Sequence, residues 1–275
     1  MKLIKQSIER LEATDYKRQI ELCGRVCYKS EAKIAQGTAD TFVAMLIKRG
    51  HTAMLEHGTI YLQVTATHSN YDDCVQRYSS NKYSTVVKSY TTGYSHNKGL
   101  HSVECACITT NYRVIIENNW VRDLAFIVNP QIKHARRVTF RFICSRQVSH
   151  QLVRHRVFSF AQESTQYCNY SLGKFGNEIT FIEPTWYASA NWFIKLIFKC
   201  YLHICEWLYM LLIKAFKKPH LAATVLPNAT KTELCMTGFI TDWRNFINLR
   251  KQDDNISQTY ELIRELSNNN KYLFL

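Results

Sequence analysis

The sequence predicts a mixed fold of the α/β class, of the α+β type, in which helices and strands share one core. A strand is indicated at 138–145, where apolar side chains recur at every second position. Helices are indicated at 15–30 and 38–49, where apolar positions follow helical spacing. A hydrophobic content of 46% over 275 residues is enough for one sizeable core, so we expect a single domain over 1–275.

After these two helices, the N-terminal half is predicted to continue into a strand. Gly50 is placed to stop the second helix, and the connection GHTAMLEH leads into an alternating strand at 59–65. His51 and Glu56 lie in this connection, where a turn with solvated polar residues explains them equally well. The next stretch, 68–100, is polar and rich in Ser, Asn, Tyr and Lys, so we expect an excursion or insertion outside the core.

The C-terminal half is predicted to combine further strands and helices. Strands are expected at 103–110, 178–182 and 231–238, and helices at 111–128, 147–156, 242–249 and 256–266, with Asp242 as a cap. The stretch 186–216 is the most apolar, but it carries five polar residues at helical spacing. They are Lys195, Lys199, His203, Glu206 and Lys214. We therefore expect a soluble amphipathic helix, with no membrane span and no membrane partner.

Composition bears on compartment and partners. Ten cysteines and no apolar leader at the N-terminus predict free thiols and a cytoplasmic location. The net charge of +13 suits either nucleic acid or a small phosphorylated ligand. Because the charges are scattered and no zinc finger or RNP motif accompanies them, nucleic acid is not the expected partner.

Several standard chemistries find no support in the sequence. There is no GxGxxG or P-loop motif, so a nucleotide would have to be held in another way. The cysteine and histidine spacings do not form a zinc set, so no metal is expected. Ser164 lacks a glycine elbow and no cysteine lies in a catalytic signature, so a hydrolase is not indicated.

The most specific stretch is RHRVFSFAQESTQY, residues 154–167. It opens with the cations Arg154, His155 and Arg156 and continues into a run of short polar side chains. On the helix predicted before it, Gln151 shares a face with Arg154 and His155, which suits an anion at the mouth of a sheet. A solvated, charged helix end would explain the same pattern.

The triplet Arg154-His155-Arg156, followed after seven residues by Ser164, resembles the RHRX7S signature of flavin-dependent thymidylate synthases. GHTAMLEH near the N-terminus and LPNATKTELCMTGFITDWRNFINLR near the C-terminus resemble the family's other blocks, in the same order. The resemblance covers most of the chain. It leaves out 68–100, which is similar to an insertion in a longer branch of the family, and the helix at 186–218, whose sequence does not match closely.

The resemblance implies one domain with a central antiparallel sheet flanked by helices, assembled as a homotetramer with active sites between subunits. It also implies reductive methylation of dUMP at C5 to dTMP, with methylenetetrahydrofolate as carbon donor, FAD as hydride carrier and NADPH as reductant. A cation beside the pyrimidine carbonyl would stabilise the carbanion-like C5. The resemblance gives this catalytic role to Arg250.

The resemblance also implies which residues contact the ligands. FAD would be contacted by His51, Glu56, Arg154, His155, Arg156, Val157 and Asn245. The dUMP site would be lined by Gln151, Arg154, Gln162, Ser164, Gln166 and Arg250. Basic residues suit both sites because FAD and dUMP are anions.

Two departures from the family bear on the substrate. Gln166 stands where an arginine usually faces the nucleotide phosphate, and Ala223 stands where a second arginine precedes the VLP triplet. A charge-assisted hydrogen bond contributes roughly 1.5 to 3 kcal/mol, so dUMP binding would weaken unless Lys217, Lys218 or His220 compensates. The alternatives are a flavin-binding paralogue that modifies another pyrimidine nucleotide or lacks methylation activity, and a basic nucleic-acid-binding protein.

Overall fold

The computed structural model describes residues 1–95, 99–165, 167–252 and 257–270. It contains two compact units. Unit 1 comprises Met1–Leu11, Leu22–Ala35 and Thr139–Leu275, and unit 2 comprises Glu12–Glu21 and Gln36–Val138. The predictions of a single domain and of an insertion at 68–100 stay predictions.

Strands and helices alternate irregularly along the chain. The described strands are β1 Lys2–Ile4, β2 Ser7–Leu11, β3 Thr59–Thr65, β4 Thr85–Ser95, β5 Gly99–Asn111, β6 Arg137–Ser145, β7 Ser159–Gln162, β8 Thr180–Ile182 and β9 Lys231–Phe239. The described α-helices are α1 Tyr16–Tyr28, α2 Thr38–Lys48, α3 Tyr71–Ser79, α4 Tyr112–Glu117, α5 Arg146–Leu152, α6 Trp192–Phe216, α7 Pro219–Ala222, α8 Ile240–Arg250 and α9 Gln258–Asn269. The helix predicted at 111–128 is divided into α4 and a 3-10 turn at Val121–Phe126. Ile256, where the last helix is predicted to begin, lies outside the described residues.

In the described part of unit 2, β5 lies between β3 and β4 in an antiparallel sheet. Along β3 the buried side chains are Ile60, Leu62 and Val64, and the residues between them are partly exposed. This alternation is the pattern that predicts a strand with one face on the core. The predicted strand at 59–65 is therefore confirmed with its boundaries.

The polar stretch 68–100 contributes to the core of unit 2, so the expectation that it lies outside the core is wrong. Its first part forms α3, and Tyr71, Cys74 and Tyr78 of that helix are buried in the main hydrophobic cluster of the unit. These positions follow the i, i+3, i+7 spacing of one helix face. The sequence analysis did not detect this spacing, because most of the residues around the three positions are polar.

In the described part of unit 1, a sheet runs in the order β2, β6, β9, β7. The edge strands β2 and β7 are antiparallel to β6 and β9, and β1 and β8 form a separate parallel pair. β9 is buried along nearly its whole length, as expected for an inner strand covered on both faces. The predicted fold class, mixed helices with antiparallel sheets, is confirmed.

An aromatic cluster joins α8 to this sheet. The ring of Trp243 lies 5.0 Å from that of Phe140, 4.6 Å from that of Phe158 and 5.7 Å from that of Phe246, measured between centroids. All four residues are buried. Tilted and edge-on contacts of this kind are favourable for aromatic rings, so the cluster holds the helix against β6 and against the start of β7.

α8 departs from the prediction at both ends. Its N-cap is Phe239, so Asp242 lies inside the first turn, where a carboxylate still favours the positive helix end. Leu249, predicted to pack with Trp243 and Phe246, is 55% exposed. Ile247 is still buried, so the buried face of the helix ends two residues earlier than the apolar spacing suggests.

α6 has 25 residues and, among the described helices, is long and apolar enough to cross a membrane by length and composition alone. One face packs into unit 1 through Leu202, Tyr209 and Ile213. On the outer side, Trp192 and Trp207 are 74% and 65% exposed. Large apolar side chains therefore share the outer side of α6 with the predicted polar stripe. The absence of a membrane span stays a prediction.

Gly238 on β9 lies against Phe158, and this contact predicts the effect of Gly238→Ala. A Cβ at Gly238 would lie 2.3 Å from Cδ1 and 2.5 Å from Cε1 of Phe158. Since the ring is buried against Trp243, we expect overpacking to lower the free energy of unfolding by about 1 to 3 kcal/mol. The control is Gly173→Ala, where a Cβ meets nothing within 4 Å. Thermal unfolding of both variants is the measurement, and equal melting temperatures would contradict the close contact.

Candidate functional site

The triplet lies in unit 1, in the turn between α5 and β7. Arg154 and Arg156 are exposed, whereas His155 between them is half-buried. Neither arginine has a hydrogen bond or ion pair with the residues that the structure describes. The turn therefore presents two guanidinium groups to solvent, and none of the described residues engages their donors.

The helix predicted at 147–156 is too long, because α5 ends at Leu152. Beyond it, the amide of His155 donates to the carbonyl of Leu152 (3.1 Å) and the amide of Phe158 donates to the carbonyl of His155 (3.2 Å). These tight turns bring Phe158 into the aromatic cluster, which a continuous helix would not allow. Arg154 and His155 are thus not on the helix face that carries Gln151.

Arg250 nevertheless connects these groups. From the end of α8, its Nε donates to Nε2 of His155 (3.0 Å) and its Nη2 donates to the carbonyl oxygen of Gln151 (3.1 Å). Because a guanidinium can only donate, Nε2 of His155 accepts and the ring proton belongs on Nδ1. The His155 ring also lies edge-on to Phe246, 4.6 Å away between centroids. The proposed catalytic cation is thus held beside two other predicted site residues.

Two amides predicted to contact dUMP are held by hydroxyl groups. Oε1 of Gln151 accepts from Oγ1 of Thr259 (2.6 Å). Nε2 of Gln162 donates to Oγ of Ser149 (3.0 Å) and more distantly to Oγ1 of Thr232 (3.3 Å). These contacts fix the orientation of both side chains, and the sequence analysis did not identify the three hydroxyl residues.

Ser164 is fixed through its main chain. Its amide donates to the carbonyl of Cys27 (3.1 Å), and its hydroxyl has no hydrogen-bond partner among the described residues. The hydroxyl is thus available to a ligand. Gln166, the last residue predicted to line the dUMP site, lies outside the described residues.

The second departure from the family lies where α7 ends. Ala223 is half-buried, and the three basic residues shortly before it in the chain are exposed. The side chains of Lys217, Lys218 and His220 have no hydrogen bond or ion pair with any described residue. They are the basic residues nearest in the chain to the missing arginine.

The remaining predicted contacts lie on α8 and in unit 2. On α8, Asn245 is exposed. In unit 2, His51 is exposed at the start of a 3-10 turn, and the half-buried carboxylate of Glu56 forms an ion pair with Nη1 of Arg113 (2.5 Å). Nη1 of Arg137 donates to the carbonyl oxygen of Glu56 (3.0 Å). Part of the hydrogen-bonding capacity of Glu56 is therefore taken up by arginines of its own unit.

Unit 1 also buries a network of charges next to β7. Oε2 of Glu163 accepts from Nζ of Lys231 (2.8 Å), and Oε1 accepts from the hydroxyl of Tyr170 (3.0 Å). Nζ of Lys231 also lies 2.5 Å from Oε1 of Glu233, which Lys29 contacts as well. Glu163 and Glu233 are buried. Sequence analysis missed this network, although Glu163 lies inside the motif.

The pKa values of this network reflect mutual stabilisation of the charges. Burial alone would lower the pKa of Lys231, but attraction to Glu163 and Glu233 raises it above its ordinary value. Burial would raise the pKa of Glu233, yet Lys231 and Lys29 lower it to about 2. The pKa of Tyr170 is raised, first by burial and then by the carboxylate of Glu163. At neutral pH Lys231 and Glu233 are therefore both charged, and Tyr170 is neutral.

A cavity of about 540 Å³ lies at the other end of α5, at its N-terminus. Trp186 and Tyr201 form aromatic walls, and Gln147 and Asn228 contribute amides. No charged side chain lines it among the described residues. It therefore differs in character from the cationic turn that follows the C-terminus of the helix.

A model of the family described as thymidylate synthase complementing protein matches residues 10–137 and 77–271. The two matches together span nearly the whole chain, so the chain belongs to an enzyme family of the methyltransferase class. The chain is a member of the thymidylate synthase complementing protein family, which is the flavin-dependent thymidylate synthase family indicated by the RHRX7S motif. No curated protein sequence matches the chain.

Two solved structures of a UMP/dUMP methylase, PolB from Streptomyces cacaoi, overlay on the chain. The complex with 5-Br UMP gives a TM-score of 0.46 at 12% identity, covering 99% of this chain and 92% of that one. The complex with 5-Br dUMP gives 0.44 at 13% identity, covering 99% and 93%. At TM-scores below 0.5, these overlays say nothing of the function of this chain.

The lowered pKa of Glu233 predicts a pH-dependent contribution to stability. Because the pKa of Glu233 is lowered from 4.5 to about 2 in the folded protein, Glu233→Gln should lower the free energy of unfolding at pH 7 by roughly 3 kcal/mol. The unfolded state takes up the proton first, so the wild-type advantage should shrink as the pH falls from about 4.5 toward about 2. Urea unfolding across this range measures the difference. The exposed Glu261→Gln is the control, and a difference independent of pH would contradict the assignment.

Proposed function

We propose that the protein is a flavin-dependent thymidylate synthase, which methylates dUMP at C5 to dTMP with methylenetetrahydrofolate as carbon donor, FAD as hydride carrier and NADPH as reductant. The observation that carries the proposal is the exposed turn of the family motif, with Arg154 and Arg156 unpaired among the described residues. An enzyme that binds two anionic nucleotides requires cations that its own carboxylates do not neutralise.

The side chains around the turn fit FAD. Arg154 and Arg156 offer forked donors that match diphosphate oxygens, and Val157, 66% exposed, offers an apolar contact. Asn245 adds an exposed amide, and His51 and Glu56 of unit 2 are proposed as further contacts. When bound, FAD supplies the hydride transfer that no side chain of the chain can perform.

Arg250 is the proposed catalytic residue at the pyrimidine. Carbon–carbon bond formation at C5 places negative charge on the ring and its carbonyl oxygens, and a fixed guanidinium stabilises that charge. The hydrogen bonds of Arg250 to His155 and to the carbonyl of Gln151 hold its guanidinium before substrate arrives. A group held in this way needs little reorganisation during the reaction.

The proposed dUMP site combines Arg154 and Arg250 with neutral polar groups. Gln151, Gln162 and Gln166 provide amides, and Ser164 provides a hydroxyl toward the phosphate. Lys217, Lys218 and His220 are candidates to replace the arginine missing at Ala223, since their side chains are exposed and unpaired among the described residues.

The assembly and the compartment are proposed on the strength of the family. In a homotetramer with active sites between subunits, surfaces left open in one subunit, such as the turn at Arg154, would be completed by its neighbours. A cytoplasmic location agrees with the ten cysteines of the chain, because a reducing compartment keeps thiols reduced.

The second candidate is a flavin-binding paralogue that acts on another pyrimidine nucleotide or lacks methylation activity. It is favoured by Ala223, since a methyl group cannot replace a guanidinium at a phosphate. Titrating the flavin spectrum of the purified protein with dUMP, and separately with UMP, separates the candidates. A response specific to dUMP supports the synthase, and a response to UMP alone or to neither supports the paralogue.

The unpaired turn predicts that Arg154→Ala weakens flavin binding. The loss of a charge-assisted contact worth roughly 1.5 to 3 kcal/mol corresponds to an increase in Kd of about 10- to 150-fold. Flavin content after gel filtration and a flavin titration measure the effect. Arg122→Ala removes another exposed arginine and is the matched control. A colourless wild-type protein, or equal flavin binding in both variants, would refute the flavin site.

Arg250→Ala should retain flavin but lose methylation by about 10²- to 10³-fold, because it removes a preorganised donor near the developing charge. Formation of dTMP and flavin content are measured on the same preparation. Arg250→Lys keeps the positive charge but lacks the forked donors of a guanidinium, so its rate of dTMP formation should lie between those of the wild type and Arg250→Ala. Wild-type turnover in Arg250→Ala would exclude the proposed role.

A further inference from the structure

Glu163 lies between two proposed substrate contacts but faces the other way. β7 ends at Gln162, and Glu163 continues the pairing with β9, since its amide donates to the carbonyl of Glu233 (2.8 Å). Side chains alternate along an extended chain, so Gln162 and Ser164 share a side that Glu163 does not. Burial follows this alternation, because Glu163 is 2% exposed while its two neighbours are half-buried.

Three hydrogen bonds fix Glu163. One oxygen of its carboxylate accepts from Tyr170 (3.0 Å), the other accepts from Lys231 (2.8 Å), and its amide is paired with Glu233. Both the side chain and the main chain of the residue are thus held at the point where the motif leaves the sheet. A change in either contact would move the residues on both sides of it.

The network extends this anchor into other elements of unit 1. Glu233 contacts Lys29, just after α1, and its Oε2 lies 3.1 Å from Nε of Arg141 on β6, as an ion pair without hydrogen-bond geometry. Removing one member of a buried ion pair leaves an uncompensated charge, so such a network resists rearrangement. The position of Glu163 is therefore tied to β6, to β9 and to the residue after α1.

We propose that Glu163 and Lys231 are positioning residues for the methylation site. They fix the main chain at Glu163 so that Gln162 and Ser164 present their amide and hydroxyl to the nucleotide at a set distance from each other. This inference rests on the proposed function, which places Gln162 and Ser164 at dUMP. Glu163 and Lys231 act only through these neighbours and do not touch the substrate.

Unit 2 contains a matched arrangement that serves as control. The buried carboxylate of Asp123 accepts from the hydroxyl of Tyr78 (2.8 Å) and from Nη2 of Arg77 (3.0 Å). It thus has the same chemistry as Glu163 with Tyr170 and Lys231, but no proposed substrate contact adjoins it. Asp123→Asn shows what the loss of a buried ion pair does to stability alone.

The test compares Glu163→Gln, Lys231→Met and their double variant with Asp123→Asn, all well below their melting temperatures. We expect Kd and KM for dUMP to rise about tenfold in each single variant, with flavin content unchanged and a smaller change in kcat. The double variant should be no worse than either single variant, because the pair acts as a unit. Lys231→Arg, which keeps the charge, should recover most of the affinity.

A substrate-independent measurement accompanies the kinetics. Amide hydrogen exchange in a peptide covering 159–165 should become faster in Glu163→Gln and stay at the wild-type rate in Asp123→Asn. Wild-type Kd with wild-type exchange in Glu163→Gln, or equal loss of dUMP affinity in both variants, overturns the inference. If the wild-type protein does not bind dUMP but Glu163→Gln still speeds amide exchange at 159–165, the role of Glu163 in holding the main chain is supported and the proposed substrate is refuted.

Discussion

The burial of Phe158 is the constraint on which the position of the cationic turn depends. Its ring fills the space above Gly238 and lies 4.6 Å from the ring of Trp243. Full burial of a phenylalanine stabilises a fold by about 1.5 to 3 kcal/mol, enough to end α5 early and turn the chain inward. Because the chain enters the core only at Phe158, two residues after the triplet ends, Arg154 and Arg156 remain outside, where a ligand can reach them.

The chain holds two kinds of cation, and the distinction explains why net charge alone predicts little. A lysine as buried as Lys231 stays charged only because Glu163 and Glu233 surround it. These carboxylates neutralise its charge, which is therefore not available to a ligand. Arg154 and Arg156 have no such partners among the described residues. Anion binding therefore depends on which cations lack carboxylates, and the net charge of +13 does not reveal this.

The sequence could predict what local spacing determines. The strand at 59–65 was predicted with its boundaries, because successive side chains along it alternate between the core and the surface. The end of α5 was missed, since it is set by the packing of Phe158 against residues about 80 positions away. Glu56 and Arg113 are likewise 57 positions apart, so no local sequence pattern predicts their ion pair. The core position of Tyr71 was hidden by its polar neighbours.

The same limit applies to the site, where the motif identifies the ligand contacts but not what holds them. Lys231 is 68 positions from Glu163, yet it anchors the residue between Gln162 and Ser164. Neutral donors form hydrogen bonds roughly half as strong as charge-assisted ones, so their strength depends more on alignment. In the proposed site, Ala223 takes the place of a guanidinium, and more of the phosphate binding then falls to neutral groups such as Ser164. A rigid anchor behind the motif therefore matters more in this chain than it would beside a second arginine.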